Sequence, residues 1–308
     1  SSSGIGYTTI QFLARKGAQV YMACRREEAF KNAVKRLEEA GLGDGSVHWL
    51  KLDLSDPRFA SQAAKELLNK EDRLDILSMS GPSPFSMTKD GIQEAMATKY
   101  GLPDTSLIST KPQCSYLSHF VFTETLLPLL IRTSKEEGSD VRILNVGRHT
   151  GVVRHTFKGK ESWNTYYGQG VMAGLKFYGL SKLANVLHMK HLQERLDSQN
   201  IDVTCIAVDP GAIATENVAG WIDSMPYLLS IFVWIMVSLF FVSPREGAMN
   251  SAFAAASPKV KARGKEFKGV HLTPVGRITT PSRQARDNRL AQELYDTTME
   301  IVSNLNLL

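Results

Sequence analysis

Gln19-Val20-Tyr21-Met22-Ala23-Cys24-Arg25-Arg26, an apolar-periodic run from about Glu28 to Ala40, and then Val47-His48-Trp49-Leu50-Lys51-Leu52-Asp53-Leu54 form the stretch that decides the fold. The strand from Gln19 to Cys24, the helix and the second strand from Val47 to Leu52 make, in that order, a β-α-β unit, whose strands run parallel because a helix carries the chain back between them. The rhythm continues on both sides. Upstream, Ser1 to Gly6 is a glycine-containing turn that feeds a helix over Tyr7 to Lys16, where Ile10, Leu13 and Ala14 form a stripe and Gly17-Ala18 ends it. Downstream come helix 58–70, strand 74–80 ending at Gly81, helix 118–133, strand 141–146, a helix from about Gly174 to Leu196, and strand 201–208 closing on Asp209-Pro210-Gly211. The alternation predicts an α/β fold with a doubly wound parallel sheet.

With 308 residues, 43% apolar and 22% charged, the chain can bury one large core, and no shift in composition asks for a second domain. Residues 1–308 are read as a single domain. Cys24, Cys114 and Cys205 are an odd set without metal-ligand spacing, and the first and last lie in strand-like runs. That suits buried thiols in a reducing, cytoplasmic setting. Ser1 to Gly6 runs straight into helix pattern, so no signal peptide is expected. The net charge of +5 is uneven: Ser257 to Arg289 holds nine Lys or Arg against Glu266 and Asp287. A solvated surface is the leading reading, contact with an anionic membrane the second, and no nucleic-acid motif accompanies the charge.

Chemistry concentrates at Tyr178-Gly179-Leu180-Ser181-Lys182. Tyr and Lys four apart share a helix face, and an ammonium favours the anionic form of a nearby phenol. General acid-base work at a carbonyl or alcohol needs such a pair. The Ser3-Gly4-Ile5-Gly6 turn at a helix N-terminus suits a pyrophosphate, because backbone N–H groups point outward and glycine permits close approach. Cys24-Arg25-Arg26 ends the first predicted strand without an acidic residue. In dinucleotide-binding folds a carboxylate there contacts the ribose 2′-hydroxyl, whereas a guanidinium accepts a 2′-phosphate, so NADP(H) is expected over NAD(H).

Taken in order, Ser3 to Gly6, Ala23-Cys24-Arg25, Leu52-Asp53-Leu54, Phe122 to Leu130, Arg142 to Val146, Tyr178 to Asn185 and Pro210-Gly211 followed by Thr215 resemble the short-chain dehydrogenase/reductase family, in a branch similar to fungal retinol-dehydrogenase-type members. The resemblance spans nearly all of the chain and implies a Rossmann-type fold. It also implies Tyr178 as acid/base, with Lys182 lowering its pKa and gripping the nicotinamide ribose. Asp53 and Leu54 would lie at the adenine end, with Ser3, Gly4, Ile5, Gly6, Gly81, Pro210, Gly211 and Thr215 on the cofactor. Two subunits would pair through the helix carrying Tyr178.

Four departures accompany the resemblance. The chain begins inside the family's glycine motif, so the first strand, central in this topology, is missing. The Asn-Asn-Ala-Gly motif reads Ser78-Met79-Ser80-Gly81, and the active-site Asn falls at Lys99. An insertion at about 101–117, with Pro103 and Pro112, interrupts a helix. Arg148 stands at the family's catalytic Ser position, where it would polarise the substrate carbonyl or else block it. These departures motivate a rival reading, a catalytically impaired cofactor-binding or interaction protein. His188 and His191, three apart, form no metal set with other ligands and are read as exposed helix residues. Tyr227 to Val242, the uncharged run inside 221–243, is read first as a lid over an apolar substrate, second as a peripheral membrane contact and third as a spanning helix.

Overall fold

The computed structural model describes residues 2–80, 116–147, 156–163, 171–211, 230, 234 and 243–308, with side chains for all of these except 171–175, 177, 178 and 244. Along the chain lie α1 (Gly4–Ala14), β1 (Gln19–Cys24), α2 (Glu27–Glu39), β2 (Ser46–Lys51), α3 (Pro57–Leu68) and β3 (Ile76–Met79). They are followed by α4 (Leu117–Ser134), β4 (Val141–Val146), α5 (Lys160–Trp163), α6 (Val171–Ser198) and β5 (Val203–Val208). Last come α7 (Pro244–Ala256), α8 (Pro258–Ala262), α9 (Gly264–Phe267), β6 (His271–Thr273), β7 (Arg277–Thr279) and α10 (Asn288–Asn304).

The strands form two sheets. β1 and β2 pair in parallel, Gln19 opposite Ser46 through Cys24 opposite Lys51. The other sheet runs β3-β4-β5-β6-β7, parallel except for β7, which returns antiparallel at the edge. Among the described residues β1 and β3 are not paired with each other. β4 and β5 have neighbours on both sides, and Val203 to Val208 is buried throughout, as expected of a strand covered on both faces.

Helices cover both faces. Leu144, Ile206 and Val208 pack under α7, with Leu13 of α1 beside them, while Ile10, Met22, Ala33 and Leu37 join α1 and α2 to β1. On the opposite face Ile143, Cys205 and Ala207 meet α3, α4, α6 and α10. α4 is largely apolar and residues 179–189 of α6 are buried, so both need cover on more than one side. α10 supplies the outer cover with Leu290, Ala291, Leu294, Ile301 and Val302.

That cover corrects one expectation. His188 is buried, 3% exposed, and His191 is half-buried and stacked on Tyr295 at 4.4 Å. On the side that helical spacing alone assigned to solvent, Tyr116 and Phe120 pack on His188 and Tyr295 of α10 packs on His191. Residues 179–189 of α6, the surface through which the resemblance pairs two subunits, are buried within the single chain. Eight of the nine basic side chains of 257–289 are exposed, and Lys268 is half-buried between Asp197 and Asp202, in line with a solvated surface. Cys24 and Cys205 are buried free thiols. Most of the insertion lies outside the described residues, as does the lid segment apart from Ser230, Trp234 and Ser243.

Candidate active site

In a doubly wound sheet, ligands bind beyond the carboxyl ends of the strands. α4 leads into β4 through a short connection, so its N-terminal end lies at that edge. There the Ser118 hydroxyl donates to the Leu54 carbonyl just past β2, at 3.1 Å. Both sheets therefore present their carboxyl ends to the same side.

At the end of the five-stranded sheet, Gly147 follows β4 and lies directly against α6. A Cβ on it would come within 2.8 Å of Val186 Cγ2 and 3.2 Å of the Lys182 carbonyl. Any larger residue would push the helix away from the strand. Lys182 and Asn185, three apart on one helix face, both donate to the Val146 carbonyl at 3.3 Å. The ammonium of Lys182 is 3% exposed, and burial, opposed by the Asp209 carboxylate, holds its pKa down at about 8. It is still mostly cationic at neutral pH. Tyr178 sits one turn earlier on α6.

Past β5, the chain turns where the Gly211 N–H donates to Asp209 Oδ1 at 2.8 Å, and Gly211 adopts φ +80°, a conformation natural to glycine. Asn250 of α7 fixes this turn from below, its Nδ2 donating to the Asp209 carbonyl at 2.7 Å and to the Leu272 carbonyl at 3.1 Å. Pro210 is buried in the same turn.

The two-stranded sheet contributes different groups. α1 starts at Gly4, inside the glycine turn and earlier than its apolar stripe suggested, and Ser3 makes no side-chain cap. Its first N–H groups are thus left for a ligand, and around Gly4, at φ +58°, there is open space where a Cβ would stand. Arg25 and Arg26 are exposed after β1. Asp53 Oδ1 accepts the Ser55 N–H at 2.9 Å, so one carboxylate oxygen serves the turn. These features fit a dinucleotide: an uncapped helix start for its phosphates and a buried cation one helical turn from Tyr178. Among the described residues no group of three or more His, Cys, Asp or Glu could hold a metal ion. Gly81, Lys99, Arg148 and Thr215 lie outside the described residues.

Sequence reading assigned no role to Gly147, Asn185 or Asp209. Asn185 had a usable signal, its i+3 spacing from Lys182. For Gly147 the only signal was a glycine directly after an apolar strand.

The sequence profile described as short chain dehydrogenase matches residues 1–158. A short-chain dehydrogenase/reductase of Armillaria gallica is 37% identical over 303 residues, 97% of this chain and 89% of that protein. Mouse retinol dehydrogenase 12 is 30% identical over 305 residues, 98% and 84% of the two chains. Among solved structures, the actinorhodin polyketide ketoreductase with NADPH matches with a TM-score of 0.60 at 19% identity, covering 89% of this chain and 93% of that one.

Proposed function

The chain belongs to the short-chain dehydrogenase/reductase family and is an NAD(P)-dependent oxidoreductase; from that premise we propose that it uses NADP(H) to interconvert an apolar carbonyl compound and its alcohol, with Tyr178 moving the proton. One observation carries the reading: a buried, mostly protonated Lys182, held at the Val146 carbonyl one turn from Tyr178. The nicotinamide cofactor, when bound, supplies or takes up the hydride.

The chain's own residues do the rest. Backbone N–H groups of Ser3 to Gly6 hold the pyrophosphate at the start of α1. Arg25 and Arg26 accept a 2′-phosphate, and the free oxygen of Asp53, with Leu54, borders the adenine. Gly81, Pro210, Gly211 and Thr215 line the remaining length of the cofactor, and Lys182 grips the ribose. Tyr178 donates its phenolic proton to the carbonyl oxygen in reduction and recovers it in oxidation, while the Lys182 cation stabilises the phenolate left behind. Arg148 supplies the charged donor that polarises the carbonyl. The apolar run inside 221–243 and the resemblance to a protein named as a retinol dehydrogenase support an apolar substrate.

The test is NADPH oxidation with a panel of apolar aldehydes and ketones. Tyr178→Phe is expected to lower turnover by about 10² to 10⁴ while leaving NADPH affinity within about twofold. A Tyr178→Phe variant as fast as the parent would remove Tyr178 from the mechanism. Arg148→Ser, paired with Lys99→Asn, reports whether the altered positions help or hinder.

Trp234, 63% exposed in the apolar run, favours a second role at an anionic membrane surface. No helix among the described residues is long and apolar enough to cross a membrane. Flotation with anionic liposomes at low salt tests the contact, and a protein that stays in the soluble fraction has none.

A further inference from the structure

The connection from β4 to α6 runs from Val146 to Val171. One end is Gly147, seated on the backbone of Lys182; the other leads into the turns of α6 that carry Tyr178. Its described middle, 156–163, is gripped by one face of α10. Glu293 accepts the Thr156 hydroxyl at 2.7 Å and the Phe157 N–H at 3.2 Å. The Thr297 hydroxyl accepts the Gly159 N–H at 2.9 Å and donates to the Phe157 carbonyl at 2.7 Å. That single hydroxyl closes the turn as a donor and as an acceptor, a pairing that only serine could reproduce at this length. Next to it, the Thr298 hydroxyl meets Tyr116 at 3.0 Å, and Tyr116 stands edge-on to the fully buried Trp163 at 5.8 Å.

The same helix also holds the far half of α6. Arg195 reaches the Tyr295 hydroxyl at 3.1 Å and pairs with Glu124 of α4 at 2.7 Å, and His191 stacks on Tyr295. α10 therefore grips both the connection and the helix into which it leads. We propose that α10 sets the β4–α6 connection against α6 for the reaction, and that Thr297, bonded to Phe157 and Gly159 of that connection, is its positioning residue. The kinetic consequence rests on the reading of α6 as the helix of the active site. Displacements of about 1 Å at such a site cost up to about 10² in rate.

Thr297→Val keeps shape and loses both hydrogen bonds, whereas Thr297→Ser keeps both. Amide hydrogen exchange is followed by mass spectrometry in peptides covering 156–163 and 171–182, alongside NADPH titration and steady-state kinetics on the apolar carbonyl panel. For Thr297→Val we expect exchange about tenfold faster in both peptides, a loss of about tenfold in kcat/KM and NADPH affinity within about twofold. Thr297→Ser restores all of these. Faster exchange confined to 156–163 with unchanged kcat/KM, or Thr297→Ser behaving as Thr297→Val, overturns the proposal. If the parent turns over none of the panel, the substrate reading fails, and the exchange of 171–182 decides for or against the coupling. Should Thr297→Val not fold, Glu293→Met is read by the same criteria, since it removes the acceptor of the Thr156 hydroxyl and the Phe157 N–H.

Discussion

The two sheets divide the molecule into halves of unlike construction. In the five-stranded half, β4 and β5 are flanked by strands on both sides and buried almost without a break, and they end on Lys182, Gly147 and Asp209. In the two-stranded half, β1 has a partner on one side only among the described residues, Gln19 is exposed, and the cations beyond the strands are the exposed Arg25 and Arg26. Proton chemistry needs a cation out of water, where its field is strong; recognition of a cofactor phosphate needs flexible cations that bulk ligand can reach. Under the proposed mechanism the buried half would transfer the proton and the open half would select the cofactor.

The largest expected effect breaks the division if it appears on the wrong side. Lys182→Met removes the cation beside Tyr178 and should lower turnover by about 10² to 10³ without changing the preference between NADPH and NADH. Stability should move the other way. The folded pKa of Lys182 is depressed to about 8, so the chain gains stability as pH rises from there toward 10.5, and that gain is lost as pH falls back through 8. At about 1.4 kcal/mol per unit, the burden at neutral pH is on the order of 3 kcal/mol, less the bond to Val146. Chemical denaturation at pH 7 and pH 10 should show Lys182→Met more stable than the parent at pH 7 and with a flatter dependence. A variant less stable at pH 7 would mean that the ammonium is better solvated than its burial implies.

The open half supplies the next effect. Arg25→Glu with Arg26→Glu should weaken NADPH by about 10- to 100-fold, since charge-assisted hydrogen bonds are worth about 1.5–3 kcal/mol, and should leave NADH nearly untouched. Calorimetric titration of both nucleotides reads the ratio directly. Equal losses for the two would place the arginines away from the 2′-phosphate.

Much of this division could be read in the sequence, because parallel strands and the helices between them leave periodic traces. β1, α2, β2 and β5 fall within two residues of their expected limits. The glycine turn, Arg25-Arg26 and the Tyr178–Lys182 spacing were visible for the same reason, being local patterns. What escaped depends on distant partners. Tyr116 and Phe120 lie about seventy residues from His188, and Tyr295 about a hundred from His191, so both histidines read as exposed until α4 and α10 are in place. Burial then pushes the His188 pKa down to about 3, with Arg195 adding to the effect, and it stays neutral in the interior. Gly147 likewise shows its need for a missing side chain only when Val186 is placed against it. The antiparallel β7, three residues long, has too few positions to show a period.

The smallest effect sharpens the seam between the halves. The Tyr21 hydroxyl of β1 donates to Glu71 Oε1 at 2.6 Å, and Gln19 Nε2 reaches the same oxygen at 2.9 Å. Glu71 lies on the stretch leading from α3 to β3, so these two bonds tie the two-stranded sheet to the approach of the five-stranded one. The link is partly solvated, and Tyr21→Phe should cost only about 0.5 to 1.5 kcal/mol. The hydrogen bond to Glu71 is the main cause of a raised Tyr21 pKa, with partial burial second. A raised pKa means a contribution fully present below the ordinary tyrosine range of about 10 and lost as pH climbs through the folded value. Parent and Tyr21→Phe should therefore differ at pH 7 and converge as pH climbs past the raised tyrosine pKa. Hydrogen exchange locates the loss: faster exchange in β1 and β2, with β4 and β5 unchanged, is the behaviour of halves that open separately, whereas a uniform rise across all four strands would make the molecule one cooperative unit despite its divided sheet.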